Sequence, residues 1–421
     1  MIRPGFTLLT ITALTALSLA GAGAAHAPLN SLPRAAAPAA PAAAAFTDAT
    51  AIADRYVAEN RVPGIVMALG VEAGAPVFVA RGRIAAEADA RAADPDSLFR
   101  VYSMTKPITA MAAMILVGEG KLRLDQPIAD FIPGFRTMRV LTNPAANLES
   151  RPATRQITVR HLLTHTAGLG YSIITTGPLK DEYERQGINP GQINLQFEQA
   201  ARGVRPTSLA AFADRVATLP LIADPGTRWS YSISLDVLAR VVEVAGGMPF
   251  ERFVQTRIFD PLQMRSSYWS VPASEVGRLT TNYFWAGANR VVLDPGNASV
   301  FAQPPSFPYG GAELVMSTRD YDRFLHMLMN EGELDGARIM SAETARLAMS
   351  NLLPDGVTYP GAPSGTGGSP VPQGYGAGGS VYLAGVPGGP GRGTFGWGGA
   401  AGTIAWVDRE NGVRETVMVQ I

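Results

Sequence analysis

The feature that most constrains this chain is a run of apolar helix formers between positions 108 and 116, closed by Gly118-Glu119-Gly120. Such a run predicts a helix that is buried, and a buried helix needs other elements packed around it. Immediately before the run stands Ser103-Met104-Thr105-Lys106. Ser103 is therefore predicted to lie at the start of a buried helix.

Ser103 and Lys106 are one helical turn apart and share a face of that helix. The chain has only three lysines, at positions 106, 121 and 180, and uses arginine for its other positive charges. Unlike arginine, a lysine in a protein interior can lose its proton and take one from a serine hydroxyl. By chance, a serine would precede one of three lysines at this spacing about one time in seven, so the motif alone is weak. Its place at a helix start, where N–H groups favour developing negative charge, predicts a nucleophilic Ser103 with Lys106 as its base.

Residues 1–27 have the pattern of a secretory signal peptide, with Arg3 as the positive end, an apolar core at 8–20, and small-residue cleavage sites at 22–24 or 25–27. The apolar run is shorter than the roughly 20 residues of a membrane span, which disfavours the alternative of an anchor. Residues 28–45 are mostly Ala and Pro and cannot bury a core, so we expect a disordered linker. We expect a periplasmic or secreted protein without a stable membrane span.

Residues 46–421 contain no second linker of this kind and are predicted to form one domain with a helical insertion. The chain has no cysteine and a formal net charge of zero at pH 7. Without a basic stripe, nucleic acid is not an expected partner. The oligomeric state does not follow from the sequence. Because the chain stops inside a predicted strand at Gln420-Ile421, we expect a few native residues to follow.

His161 and His165, spaced i and i+4, are the one arrangement in the chain that resembles a metal site. No glutamate supports them, no third ligand candidate is near, and a glycine stop follows, so we predict a structural helix end rather than zinc. His326 lies among apolar residues of a predicted helix at 318–330 and is assigned to packing. We predict no metal and no cofactor.

The predicted elements are those of an α+β protein. Residues 47–60 have helical periodicity, and residues 65–69 and 76–80 predict a β-hairpin. Near the other end, residues 403–407 and 414–420 predict strands. Together with residues 375–383, these are expected to form an antiparallel sheet closed by both ends of the chain.

Two loop-rich segments are expected around the site. Residues 169–219, with weak helical patterns at 195–201 and 208–218, are predicted to be an insertion that shapes the substrate pocket. Residues 360–379, mostly Gly, Pro and Ser, predict a flexible loop near the mouth of that pocket.

Two further segments carry candidate site residues. A turn at Asp224-Pro225-Gly226 delivers Tyr231 just ahead of a helix predicted at 235–244. Tyr231 is either a core residue or a phenol that passes protons between a serine and a lysine. The segment 394–403, which contains Trp397-Gly398-Gly399-Ala400, predicts an edge strand whose small residues let a ligand approach the backbone. An N–H after the glycines is a candidate oxyanion donor, and a glycine-rich turn between strands is the alternative.

No Gly-x-Ser-x-Gly occurs in the chain, so the nucleophile elbow of α/β-hydrolases is absent. Instead, Ser103-Met104-Thr105-Lys106, the segment 159–169, Pro225-Gly226 before Tyr231, and Trp397-Gly398-Gly399 occur in a familiar order. The chain thereby resembles the serine β-lactamase and penicillin-binding protein family, most closely its class C-like esterase branch, the family VIII carboxylesterases. The resemblance spans nearly all of residues 46–421.

The resemblance implies a β-lactamase/transpeptidase-like fold, in which an antiparallel sheet flanked by helices lies beside an all-helical subdomain and the site lies between them. It implies that Ser103 attacks an acyl carbonyl and that Lys106 and Tyr231 move its proton. The N–H groups of Ser103 and Ala400 would hold the oxyanion, and water would then release the acyl group.

The chain departs from the β-lactamase pattern at two positions. Ile233 stands where Tyr-x-Asn has its asparagine, and Trp397-Gly398-Gly399 replaces Lys-Thr-Gly. Both changes remove polar anchors for an anionic β-lactam or peptide, and Trp397, with Gly398 and Gly399, offers an apolar substrate-binding wall instead. The esterase branch is similar at the Trp397-Gly398-Gly399 motif, so the resemblance implies a serine hydrolase that cleaves neutral carboxylic esters with short acyl chains.

Other functions are compatible with the same residues. They are a β-lactamase or D-alanyl-D-alanine carboxypeptidase, an acyltransferase to an alcohol, and a non-catalytic ligand-binding domain on the same fold. The intact Ser103, Lys106 and Tyr231 count against the last of these. For every enzyme among them, the expected partner is a small-molecule ester or β-lactam-like substrate.

Overall fold

The computed structural model describes residues 46–361 and 371–421. The predicted signal peptide and linker at 1–45 lie outside the described residues, as does the middle of the predicted loop at 360–379. In the described ranges the protein is α+β, as predicted, with one large antiparallel sheet beside a group of helices. No helix in these ranges is both long and apolar enough to cross a membrane.

The described residues form ten α-helices. In chain order they are α1 (Thr47–Ala58), α2 (Thr105–Gly118), α3 (Val159–Leu163), α4 (Pro178–Arg185), α5 (Leu195–Ala201), α6 (Leu209–Ala217), α7 (Ser234–Gly246), α8 (Phe250–Val254), α9 (Thr318–Met329) and α10 (Ala342–Ala348). A π-helical turn, Gln255–Phe259, continues α8.

The described residues also form sixteen strands. In chain order they are β1 (Gly64–Val71), β2 (Val77–Gly82), β3 (Leu98–Arg100), β4 (Arg139–Leu141), β5 (Ser150–Pro152), β6 (Ser267–Tyr268), β7 (Asn282–Ala286), β8 (Asn289–Asp294), β9 (Val315–Ser317), β10 (Glu333–Leu334), β11 (Ala337–Arg338), β12 (Gln373–Tyr375), β13 (Ser380–Tyr382), β14 (Phe395–Gly398), β15 (Ile404–Asp408) and β16 (Val413–Met418).

The main sheet has seven strands in the order β12-β13-β14-β15-β16-β1-β2, and each pair is antiparallel. Val66 of β1 lies opposite Met418 of β16, so strands from both ends of the described chain meet inside this sheet. This confirms the predicted closure and the hairpin of β1 and β2. The prediction at 375–383 is corrected, because β12 and β13 form a hairpin that turns at Gly376–Gly379 rather than one strand.

The sheet is covered on both faces, which explains why β1 is apolar at nearly every position. Ile65, Met67 and Leu69 share a cluster with Ala53 of α1. Val66 belongs to the main core, and α9 packs against β1, β15 and β16. Alternating residues of β1 are thus buried under different helices, as expected of a strand between two layers.

The predicted buried helix is α2, and its residues from Thr105 to Leu116 are all buried. It packs against α7, α8 and α10. The predicted helix at 235–244 is α7, which ends at Gly247 in a left-handed conformation (φ 67°) that glycine adopts without strain. Ser103 precedes α2 and Tyr231 precedes α7, so both candidate residues stand at the beginnings of neighbouring buried helices.

The insertion at 169–219 contains α4, α5 and α6. The weak patterns at 195–201 and 208–218 are confirmed as α5 and α6. Helix α4 was missed, because most of its eight residues are charged and only Leu179 and Tyr183 are buried. A two-residue apolar face is too small to produce a clear helical period.

The predicted edge strand at 394–403 corresponds to β14, and the structure corrects its position. β14 lies inside the sheet, between β13 and β15. However, β13 pairs only with Phe395 and Gly396, so Trp397 and Gly398 have no strand partner on that side. β14 therefore has an open edge only at Trp397 and Gly398, which are candidate substrate-binding residues.

Candidate active site

Ser103 lies in a short 3₁₀ turn, Tyr102–Met104, that leads directly into α2. Tyr102 has a positive φ of 40°, a conformation that costs a non-glycine residue about 1–3 kcal/mol. The turn therefore depends on its surroundings, and one contact is visible in the hydrogen bond that Asn282 Nδ2 donates to the Tyr102 hydroxyl at 3.1 Å. A strained residue directly before the candidate nucleophile is typical of functional turns.

Lys106 is fully buried, and its amine is held by two hydrogen bonds. Nζ donates to Ser103 Oγ at 3.1 Å and to the carbonyl oxygen of Gly311 at 2.8 Å. The amine also lies 4.6 Å from the ring centre of Tyr231 and 5.4 Å from that of Tyr171. The predicted shared face of Ser103 and Lys106 is thus realised as a direct contact between their polar atoms.

Tyr231 completes this group from a different part of the chain. Its hydroxyl donates to Ser103 Oγ at 2.7 Å, and it accepts a hydrogen bond from Trp397 Nε1 at 3.4 Å. The preceding backbone is fixed because Ser230 N–H donates to the carbonyl of His165 at 2.9 Å. Tyr231 is only 8% exposed, so it is both a core residue and a member of the candidate site.

The glycine-rich segment approaches the Ser103 turn closely. A Cβ atom on Gly399 would lie 2.2 Å from the carbonyl oxygen of Val101, which only glycine avoids. Gly399 N–H donates to the carbonyl of Thr403 at 2.7 Å, which closes a turn containing Ala400. Ala400 is exposed, and its N–H has no hydrogen-bond acceptor among the residues that the structure describes. The turn is glycine-rich, as the alternative interpretation held, and it also presents a free N–H beside the Ser103 turn.

Trp397 forms one wall of the site. Its ring packs against Tyr231 and Tyr375, with ring centres 5.7 and 5.2 Å away, and is 7% exposed. Ile233, at the position of the expected asparagine, is fully buried and brings no polar atom. On this side, an indole and a buried isoleucine therefore stand where the β-lactamase pattern has an ammonium group and an amide.

The two histidines of the metal-like spacing have separate partners. His161 Nδ1 accepts the Thr158 N–H at 3.1 Å in a capping box at the start of α3. His165 lies beyond the end of α3 with φ 55°, and its Nδ1 shares a hydrogen bond with Ser232 Oγ at 2.9 Å. Burial holds the pKa of His165 well below its usual range, and the nearby Lys106 lowers it further. In the ranges 46–361 and 371–421, no three His, Cys, Asp or Glu side chains form a group that could hold a metal ion.

Two buried carboxyl groups close to each other, one of them near Lys106, were missed at the sequence level. Asp236 in α7 accepts the Gly311 N–H at 2.8 Å, and burial raises its pKa to about 6 despite the opposing effect of Lys106. Glu313 is also fully buried, and burial raises its pKa well above the usual value. Two local features of the sequence could have pointed to them. Asp236 is a carboxylate within the apolar first turn of a predicted helix, and Glu313 closely follows the pair Gly310-Gly311.

These positions define what the site can do chemically. One hydroxyl, Ser103 Oγ, receives hydrogen bonds from both an amine and a phenol. It lies at the start of a helix, where the first N–H groups have no intrahelical acceptor. Such an arrangement can remove a serine proton and stabilise negative charge on a bound carbonyl oxygen.

Comparison with known proteins finds a family model and several relatives that match most of the chain. Residues 49–421 match the family model described as Beta-lactamase. Protein Rv1367c of Mycobacterium tuberculosis is 36% identical over 73% of this chain and 73% of its own length. Esterase EstB of Burkholderia gladioli is 31% identical over 86% of this chain and 87% of its own length.

Solved structures agree with this match. The structure described as "EstCE1, a hydrolase with promiscuous acyltransferase activity" superposes with a TM-score of 0.69 at 23% identity, covering 88% of this chain and 92% of that one. At this level of identity the likeness concerns the fold. It confirms the β-lactamase/transpeptidase-like fold that the resemblance implied.

Proposed function

Because the chain belongs to the beta-lactamase family, whose model matches residues 49–421, we propose that it is a serine hydrolase that cleaves carboxylic esters with short acyl chains through an acyl-enzyme on Ser103. The observation that carries the proposal is the placement of Ser103 Oγ, which lies 2.7 Å from the Tyr231 hydroxyl and 3.1 Å from Lys106 Nζ. The similarity to Esterase EstB supports the choice of an ester as substrate.

In the acylation step, Ser103 Oγ attacks the ester carbonyl carbon and loses its proton to the pair Lys106 and Tyr231. The carbonyl oxygen becomes an oxyanion, which the N–H groups of Ser103 and Ala400 hold. When the C–O bond of the ester breaks, the proton passes to the departing alkoxide and the alcohol leaves. For Tyr231 to accept the serine proton, its own proton first passes to the Lys106 amine, and the ammonium group and the indole N–H of Trp397 then stabilise the phenolate oxygen.

In the deacylation step, water takes the place of the alcohol. The Lys106 and Tyr231 pair removes a proton from the water, whose oxygen attacks the acyl carbon. The bond to Ser103 Oγ breaks, the proton returns to that oxygen, and the carboxylic acid leaves. An alcohol in place of water would give acyl transfer from the same intermediate.

The substrate preference rests on Trp397 and Ile233. An anionic β-lactam or peptide would meet an indole ring and a buried isoleucine, neither of which can pair with its carboxylate or its side-chain amide. Burying an unpaired carboxylate costs several kcal/mol, on the order of a hundredfold or more in affinity. A neutral ester escapes that cost.

We also propose export to the periplasm or the medium, on the basis of the sequence pattern at 1–27 alone. Expression of the full-length gene in a bacterial host, followed by fractionation and mass measurement, tests this. Export predicts a periplasmic or extracellular product shortened by 24 to 27 residues. A full-length product in the cytoplasm would contradict it.

The function is tested by hydrolysis of a short-chain nitrophenyl ester and of nitrocefin by the purified protein, beside Ser103→Ala. We expect ester turnover that disappears in the variant, with little nitrocefin cleavage. Reaction of Ser103 with a serine-directed phosphonate, located by mass spectrometry, provides the covalent measurement.

Each alternative function has its own outcome in this experiment. Fast nitrocefin cleavage would favour the β-lactamase, and ester product formed only when an acceptor alcohol is added would favour the acyltransferase. An unlabelled Ser103 together with absence of turnover would support a non-catalytic domain.

A further inference from the structure

Asp236 is a fully buried carboxylate that the proposed mechanism does not use. It lies in the first turn of α7, five residues after Tyr231. Its Oδ1 accepts the N–H of Gly311, and its Oδ2 has no hydrogen-bond partner among the described residues. A buried carboxylate with one unpaired oxygen costs stability, which makes Asp236 a candidate for a role in the neighbouring site.

Gly311 connects Asp236 to the candidate base. Its N–H donates to Asp236 Oδ1 at 2.8 Å, while its carbonyl oxygen accepts the hydrogen bond from Lys106 Nζ, also at 2.8 Å. The same amine contacts Ser103 Oγ at 3.1 Å. One glycine therefore carries the contacts that join a carboxylate on α7 to the amine that touches the nucleophile.

The segment around Gly311 is held tightly between α2 and α7. Thr109 Oγ1 of α2 donates to the carbonyl of Gly310 at 2.6 Å. A Cβ atom on Gly311 would lie 2.7 Å from Asp236 Oδ2, and one on Gly310 would lie 2.4 Å from the carbonyl oxygen of Leu235. The backbone is thus pressed against α7 at both glycines. Removing the Asp236 contact would leave the Gly311 carbonyl without its support on that side.

We infer that Asp236 is a positioning residue for the proposed acyl transfer, because it fixes the Gly311 backbone that in turn holds Lys106 Nζ against Ser103. The inference rests on the proposed function for its kinetic consequences. The effect of Asp236 on the position of Lys106 can be measured whether or not the protein turns over an ester.

The charge of Asp236 adds to the effect of its hydrogen bond. Lys106 is an opposite charge close enough to lower the pKa of Asp236 against burial, and this attraction is mutual. In the part of the chain that the structure describes, the other titratable groups on which Asp236 acts are Tyr171, after α3, and Tyr309 and Glu313, before β9. With a pKa of about 6, Asp236 is ionised above that pH and loses its attraction for the amine below it.

Two substitutions separate the hydrogen bond from the charge. Asp236→Asn keeps an oxygen acceptor for Gly311 but removes the charge, whereas Asp236→Leu removes both in a side chain that branches at the same atom. Asp320→Asn is the matched control, since Asp320 is also buried and accepts a backbone N–H, that of Ser266, but lies in α9, where the charges that act on it are those of Asp96 and Arg323.

The kinetic readout uses a short-chain nitrophenyl ester. We expect kcat to fall about tenfold in Asp236→Asn and about a hundredfold in Asp236→Leu, with KM within about twofold, because a misplaced catalytic group lowers turnover rather than binding. In the unmodified protein, kcat should fall as the pH drops through about 6, because Asp236 becomes protonated there. Asp236→Asn should lack this fall. Asp320→Asn should retain the rate and the profile of the unmodified protein.

A second readout is independent of activity. Because the chain has three lysines, ¹³C labelling at lysine Cε gives three NMR signals, and Lys106→Arg identifies the one that belongs to Lys106. We expect the Lys106 signal to move in Asp236→Asn and to stay in Asp320→Asn. The signals of Lys121 and Lys180, which pair with Glu119 and Glu184 instead, should stay in both, and they serve as internal references.

The possible results separate the two proposals. An unchanged Lys106 signal with unchanged kcat in both Asp236 variants would overturn the positioning role while leaving the ester hydrolase intact. A shifted Lys106 signal in a protein without ester turnover would support the coupling and count against the proposed function.

If the Asp236 variants do not fold, Gly311→Ala provides the same test from the other side of the contact. Its methyl group would lie 2.7 Å from Asp236 Oδ2, so it would force the Gly311 backbone away from Asp236 and shift the carbonyl that holds Lys106. An unaltered Lys106 signal and rate in that variant would contradict the inference.

Discussion

At the scale of single residues, the site is built from side chains that serve both packing and chemistry. Lys106 and Tyr231 are buried like core residues, yet their polar atoms meet at Ser103 Oγ. Burial strengthens these contacts, because hydrogen bonds in a low-dielectric interior are electrostatically stronger than in water. Loss of one polar atom should therefore weaken the contacts that hold Ser103 Oγ and lower turnover.

Tyr231→Phe tests this directly. It removes the hydroxyl that lies 2.7 Å from Ser103 Oγ but leaves the ring in place. We expect kcat for a nitrophenyl ester to fall by about 10²–10⁴, with KM changed little, since proton transfer is lost but binding is kept. Tyr375→Phe is the matched control, because the Tyr375 hydroxyl has no hydrogen-bond partner in the described residues. Equal losses in the two variants would argue against a specific role for Tyr231.

Trp397→Lys tests the account of the substrate preference. A lysine there would supply the ammonium group that the β-lactamase pattern has at this position, so cephalosporin turnover should rise relative to ester turnover. Trp397→Leu removes the same indole without adding a charge and should show no such rise. If the lysine variant also gains nothing over the protein with Trp397, the missing carboxylate anchor does not explain the preference.

At the scale of elements, the site depends on the start of α2 and the end of β14 meeting at close range. The paired part of β14 stops at Gly396 on one side, and the backbone then runs past the Ser103 turn at Gly399. Since a Cβ atom at Gly399 would overlap the Val101 carbonyl, the spacing between strand and turn is set by the absence of a side chain.

Gly399→Ala should therefore separate the strand from the turn. Its methyl group would lie 2.2 Å from the Val101 carbonyl oxygen, and the shift would carry Ala400 N–H away from Ser103. We expect turnover of the nitrophenyl ester to fall about a hundredfold, as for loss of one oxyanion donor. Gly203→Ala, where a Cβ atom meets nothing within 4 Å, is the control for the alanine itself. Full activity in Gly399→Ala would exclude this turn from the oxyanion site.

At the scale of the whole molecule, a buried ion pair and hydrogen bonds to Gln420 connect distant parts of the chain to the strand that precedes Ser103. Arg100 in β3 pairs with Asp294 at the end of β8, and both side chains are fully buried. The Arg100 N–H and the Arg100 guanidinium both donate to Gln420 Oε1, at 3.0 and 3.2 Å. The nucleophile turn is thus connected to the β7–β8 hairpin and to the last residues of the chain.

Asp294→Ala should destabilise the protein strongly, because it leaves the Arg100 charge buried without a counter-ion. We expect the free energy of unfolding, measured by denaturant titration, to fall by about 3–5 kcal/mol. Replacing both partners, with Arg100→Met and Asp294→Leu together, should recover most of that loss. For comparison, Asp96→Ala breaks the exposed pair with Arg319 and should cost about 1 kcal/mol or less. A similar small loss in Asp294→Ala would show that water reaches Arg100.

The sequence by itself determined the features that depend on local spacing. The apolar run after Lys106 predicted α2, alternation and turns predicted β1, β2, β15 and β16, and the interval of three residues placed Ser103 beside Lys106. These predictions hold because helical and extended periodicity, and contacts within one turn, are properties of neighbouring residues. The charged helix α4 and the hairpin of β12 and β13 were missed or merged, since short elements with few buried residues leave little pattern.

Only the tertiary structure decided which distant residues meet at Ser103. Tyr231 lies 128 positions from the serine that it contacts, and Gly311 lies 205 positions from the lysine that it holds. The sequence singled out Tyr231 by the turn that delivers it to a helix start and by the resemblance to a family, but it contained no signal that joined Asp236 to Gly311 or Gly399 to Val101. The physical reason is that such contacts follow from how helices and strands pack, and packing brings together side chains whose separation along the chain has no characteristic period.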